Sequence, residues 1–183
     1  FVPAHVKLGL VHHSNNRPDK ALESFNTALA SDPGDMNVVR YIVTVLMTSG
    51  QSEKAETLIK THLTQPDLAA EHKAYLYFLS GKIALTANQA QLAKERFDKS
   101  LGIHGKTTPS LEALANMSLI ENKPDQAIQY FQSILAYDDD YIPALLSLSR
   151  IYEIRNQVEQ AKEHLEKILA ISSRHTVAAN SLA

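Results

Sequence analysis

Cysteine is absent from the 183 residues, and with it go any disulfide frame and any thiolate metal ligand. That absence suits a reducing cytosol and a simple periplasmic domain equally, so the compartment stays open. An excess of either charge is missing too: 18 lysines and arginines face 20 aspartates and glutamates, a formal net charge of -2. A chain so balanced has no overall field to recruit nucleic acid or an anionic membrane. No apolar run approaches the roughly 18 residues of a membrane span, which argues against direct membrane insertion, and no signal peptide opens the chain. The first residue is Phe1 and not methionine, so the missing targeting signal says little about a parent protein. Length allows a real core in one or two domains.

A period runs through what is there. Ala21, Ala55, Ala93, Ala127 and Ala161 are separated by 34, 38, 34 and 34 residues. Four residues beyond each comes Phe25, Ile59, Phe97, Phe131 or Leu165, and eight beyond comes Leu29, Leu63, Leu101, Leu135 or Leu169. Apolar residues at i, i+4 and i+8 mark one helix per repeat. The preceding half of each unit carries a second helix, with Leu8, Ile42, Leu114 and Leu148 followed by Gly9, Val43, Ala115 and Ser149, and with Ser80-Gly81 in the third unit. Between the halves stand Asn16, Gly50, Asn88, Asn122 and Asn156, residues that tolerate the left-handed conformation ending a helix.

Proline agrees with this register. Pro3, Pro109 and Pro143 share one phase, Pro18 and Pro124 another, and both phases are helix starts, where the missing N–H has no intrahelical acceptor. Asp19, Glu53, Asp125 and Glu159 then place negative charge at the positive end of a helix dipole; Leu92 breaks the rule in the third unit. The chain divides into units 2–35, 36–69, 74–107, 108–141 and 142–175, with 176–183 repeating the opening of a first helix, as if an array were cut mid-helix. The four inserted residues, Ala70 to Lys73, are expected to lengthen the first helix of the third unit, from about Leu68 to Thr86.

These units resemble tetratricopeptide repeats. The first carries Leu8-Gly9, Ala21, Phe25, Ala28 and Pro33 in the family's pattern, and the similarity covers nearly the whole chain. Two departures stand out: His62 replaces the small residue matching Ala28, and Ser80 sits where the family favours leucine, so those units are either locally loose or adapted to a contact. The resemblance implies an all-α solenoid, a right-handed superhelix of stacked antiparallel helix pairs. Elementary physics agrees, since one amphipathic hairpin cannot bury its own apolar face and stability must come from stacking neighbours.

No motif of recognisable catalytic or metal-binding chemistry occurs in the sequence. His12 and His13 are adjacent, but about 100° apart around a helix they do not share a ligand geometry easily. His5 and His12 fall in columns otherwise filled by Val39, Tyr77, Leu111 and Leu145, and by Leu46, Ala84, Ser118 and Tyr152, which makes them semi-buried packing residues with hydrogen-bonded nitrogens. Tyr137 to Tyr141, "YDDDY", falls at an inter-repeat turn and lacks the glycine and later glutamate of a calcium loop. Gly102 to Lys106, "GIHGK", lacks phosphate-loop spacing, and no GxSxG nucleophile motif occurs. No enzyme activity, metal or cofactor is expected.

The resemblance instead places function on the concave wall, lined by the first helix of each unit. By phase that wall presents Lys7, Arg40, Tyr41, Thr44, Tyr75, Phe78, Lys82, Glu112, Asn116, Arg150 and Glu153, four basic and two acidic. Arginine and tyrosine are enriched among residues that carry binding energy. Some members of the family grip a chaperone peptide's carboxylate end with a lysine and an asparagine in one unit; Val6 and Leu10 stand there in the first unit, so that clamp is not recognisable. The expected partner is a protein or peptide segment of acidic and apolar character. Long bacterial members serve envelope, secretion and export assemblies, which this chain resembles in its degenerate units. The alternatives are a structural element that self-associates through cut array ends and, more remotely, RNA binding of the pentatricopeptide kind, which would need basic faces.

Overall fold

The computed structural model describes residues 2–171, so the expected start of a sixth unit, 176–183, lies outside the described residues. Ten helices and no strand occur among the described residues. The chain forms two compact units, Phe1–Ile103 and His104–Ala183. The first holds α1 (Val2–Ser14), α2 (Pro18–Ser31), α3 (Met36–Thr48), α4 (Ser52–Leu63), α5 (Ala70–Thr86) and α6 (Ala90–Ile103). The second holds α7 (Thr108–Ile120), α8 (Pro124–Leu135), α9 (Ile142–Ile154) and α10 (Val158–Ile171).

One turn, made five times, folds these helices into hairpins. Asn16, Gly50, Asn88, Asn122 and Asn156 have φ of 54°, 74°, 57°, 57° and 57°. In each hairpin the following amide reaches five residues back: Arg17 N to His12 O, Gln51 N to Leu46 O, Gln89 N to Ala84 O, Lys123 N to Ser118 O and Gln157 N to Tyr152 O, at 2.7–2.9 Å. This six-to-one bond over a left-handed residue caps the orphan carbonyls of the first helix. Asparagine tolerates that conformation better than most residues with a Cβ.

The second helices pack through Ala21, Phe25, Ala55, Ile59, Ala93 and Phe97 in the first unit and Ala127, Phe131, Ala161 and Leu165 in the second, all buried. The stripe then departs from the sequence expectation. Leu29, Leu63, Leu101, Leu135 and Leu169 are only half-buried, while Ala28, His62, Ser100, Ile134 and Ile168, one residue earlier, are buried. Helix geometry explains it: at about 100° per residue, i+7 returns to within about 20° of i, whereas i+8 lies about 80° away, at the edge of the buried face.

Helix α5 does run long, at 17 residues, but it starts at Ala70 and not at Leu68. Pro66 and Asp67 sit in a turn closed by Leu68 N to Gln65 O at 3.4 Å, and Leu68 packs half-buried on the core instead of joining the helix. Both departures from the family pattern have partners. Ser80, on α5, donates from Oγ to Glu56 Oε1 at 2.7 Å, which ties α5 to α4.

His62 lies buried on α4, with Nδ1 3.2 Å from Gln65 Nε2. Burial lowers its pKa below the ordinary value. The fold therefore prefers the neutral ring, and the stability this represents is present above about pH 6.5 and lost as pH falls from there through the depressed folded value. Urea midpoints at pH 7.5 and 5 should show this loss, and it should shrink in His62→Ala, whose column partner is Ala28. An equal loss in the variant would remove His62 as its source.

Candidate functional site

In the first unit the predicted wall residues come together as layered aromatics with cations on them. Tyr41 stacks on Phe25 at 5.3 Å between ring centroids, and the Arg40 guanidinium lies 4.7 Å from the Tyr41 ring centre. Arg40 also acts on the next first helix: burial raises the Tyr75 pKa, and the arginine's charge partly opposes that rise. Tyr75 packs on Phe78 at 5.6 Å, Phe78 on Phe97 at 5.9 Å, and Lys82 Nζ stands 5.9 Å over the Phe78 ring. Spacing of three and four residues along α5 puts Tyr75, Phe78 and Lys82 on one face, whereas on α3 the adjacent Arg40 reaches the Tyr41 ring through its long side chain. Thr44 spends its hydroxyl on Arg40 O at 2.8 Å, and Lys7 is exposed on α1.

The second unit arranges its predicted residues differently. Glu112 accepts a hydrogen bond from Tyr141, just before α9, and burial together with the nearby acidic charges pushes the Tyr141 hydroxyl up to about 12. Glu112 thus anchors the loop before α9. Asn116, Arg150 and Glu153 are exposed. Asn116 and Arg150 border a cavity of about 450 Å³ between α7 and α9, with Leu119, Pro124, Ile151 and Ile154 among its lining.

The histidines keep to packing, with one correction. His5, His12 and His13 are half-buried, but His12 Nδ1 is buried without a hydrogen-bond partner, contrary to the expectation that the nitrogens are satisfied. No group of three metal-ligating side chains exists among the described residues. The acidic turn is engaged by a lysine, Lys167 Nζ lying 3.0 Å from Asp139 and 3.8 Å from Asp140. In "GIHGK", Thr107 donates to His104 O at 2.6 Å and closes the loop before α7.

Left-handed asparagine turns, small-to-aromatic helix contacts and paired antiparallel helices are the features expected of one repeat family. The family model described as Protein kinase G tetratricopeptide repeat matches residues 5–182. The chain belongs to this tetratricopeptide repeat family.

No curated protein matches the sequence of this tetratricopeptide repeat chain. Solved structures similar to it include pilF of Pseudomonas aeruginosa, 20% identical with a TM-score of 0.64, covering 99% of this chain and 81% of that one. Another is YrrB, described as a tetratricopeptide protein with an unusual peptide-binding site, 18% identical with a TM-score of 0.58, covering 97% and 89%. A third is PilW, described as a widely conserved type IV pilus biogenesis factor, 15% identical with a TM-score of 0.53, covering 100% and 98%. At these identities the likeness shows the all-α solenoid fold of tetratricopeptide proteins.

Sequence reasoning missed the apolar border of the second unit. Its signal was present in the period. Ser14, Thr48 and Thr86 end α1, α3 and α5, each returning its hydroxyl to a carbonyl of its own helix at 2.8–3.0 Å. The same column in the tetratricopeptide repeats of the second unit holds Ile120 and Ile154, which are 86% and 84% exposed.

Proposed function

We propose that the protein is a non-enzymatic interaction scaffold whose first-helix wall holds a peptide or partner segment of acidic and apolar character. The observation that carries this reading is the first unit's cluster, in which Arg40 and Lys82 each lie over a ring that is packed on further rings. Aromatic faces held by core packing offer apolar area at little entropic cost, and the cations above them select against basic partners. Membership of a tetratricopeptide family and a fold shared with the peptide-binding YrrB support it further. A place in an envelope, secretion or export assembly is consistent with the fold shared with PilW.

A fluorescein-labelled peptide alternating leucine with glutamate, titrated by fluorescence polarisation, tests the wall. Arg40→Ala and Lys82→Ala should each weaken binding by about threefold to tenfold. Unchanged affinity in both would sink the assignment.

A further inference from the structure

The second unit places a largely apolar pocket beside an arginine that forms no ion pair among the described residues. The cavity of about 450 Å³ is lined by Leu119, Pro124, Ile151 and Ile154, with Asn116 and Arg150 among its polar lining. Ile120, next to Leu119 at the end of α7, and Val158, at the start of α10, are apolar and exposed as well, at 86% and 66%. The first unit's equivalents of Ile120 and Ile154 are Ser14, Thr48 and Thr86, whose hydroxyls bond to carbonyls of their own helices.

The charges around the pocket sort themselves. Arg155, also on its lining, is taken by Asp125 at 2.7 Å. Lys123 is taken by Glu121 at 2.6 Å. Arg150 forms no ion pair among the described residues and stays exposed, with the Asn116 amide bordering the same cavity. A planar guanidinium and an amide beside a greasy cavity match a carboxylate attached close to an aliphatic group. The volume falls within the range of pockets that bury small ligand groups, ample for one leucine-sized side chain.

We infer that this pocket docks a polypeptide segment in which a leucine, isoleucine or valine lies within two positions of an aspartate or glutamate, the aliphatic group entering between α7 and α9 and the carboxylate meeting Arg150. The inference rests on the reading of the wall as a polypeptide-binding surface and adds the chemistry that the second unit selects.

The test uses the full chain. Random decapeptides displayed on phage are selected on it, and enriched sequences are synthesised and titrated by fluorescence polarisation. They should share the aliphatic-acidic pair, and their Kd should rise at least about tenfold with Ile154→Ser and with Arg150→Glu, while Lys60→Ala on the second helix α4 leaves it unchanged. Both substituted residues are exposed, so helical circular dichroism should match the unaltered chain in each variant. Peptides without the acidic partner would overturn the inference. So would affinities that ignore both variants but fall with Arg40→Ala, an outcome that leaves the general reading intact. Failure to enrich any peptide removes both. A concentration-dependent dimer abolished by Ile154→Ser would assign the patch to a second copy and overturn the inference.

Discussion

Phe131→Ala should destabilise the second unit by about 3–5 kcal/mol, the range for emptying a buried aromatic site. Phe131 is buried among neighbours, with Ala127 and Ile134 on the same face of α8. Emptying so buried a site in a stacked array should show as the full loss in urea unfolding followed by circular dichroism. Leu135→Ala is the control. It lies at the rim of the cluster around Leu145, Leu165 and Ile168, half-buried, and should cost clearly less. A Leu135→Ala loss equal to that of Phe131→Ala would contradict the assignment of the buried face.

Gly81→Val should cost about 1–3 kcal/mol through overpacking, and more if the ring cannot move. A Cβ at Gly81 would lie 2.4 Å from Cε1 of Phe97, and the same contact recurs at 2.5 Å between Gly9 and Phe25. Phe97 is fully buried and already packed against Phe78, so it has little room to give. The second hairpin indicates the relief, because Val43 and Ile59 occupy the corresponding positions there. Gly81→Val combined with Phe97→Ile should therefore be less destabilised than the sum of the two single changes, by about 1 kcal/mol. Strict additivity in urea midpoints would show that the two positions do not share the space. Because Phe78 packs on Phe97 and carries Lys82 over its ring, Gly81→Val should also weaken peptide binding at the first unit's wall.

Much of this architecture was legible because its rules are local. A left-handed turn residue, a proline in a first turn and an apolar residue every third or fourth position each act within a few residues, and Asn16, Pro124 and Phe97 are where those rules place them. Arg40, Tyr41, Tyr75, Phe78 and Lys82, which the family resemblance, carried over by phase, assigns to the first helices, lie together in ring and cation contacts.

What escaped depended on angles or on neighbours distant in sequence. Leu135 reads as core by spacing, yet a rotation of about 80° from the alanine column moves it to the rim and hands the buried place to Ile134. Glu112 reads as a wall residue, and only the approach of Tyr141, in the loop before α9, shows its second role. The pocket in the second unit escaped because the period was followed down its apolar core columns. The informative deviation lay in a column whose usual occupants are polar, where Ile120 and Ile154 replace serine and threonine.

The close fit of Gly81 to Phe97 and of Gly9 to Phe25 limits how such a protein can be recombined. A phenylalanine in this column sits beside a glycine or, at Phe131, beside the small Ala115, so grafting α6 next to α3 would set Phe97 against the larger Val43. Duplication or engineering can exchange these elements as intact pairs, and a crossover at the asparagine turn would break the match.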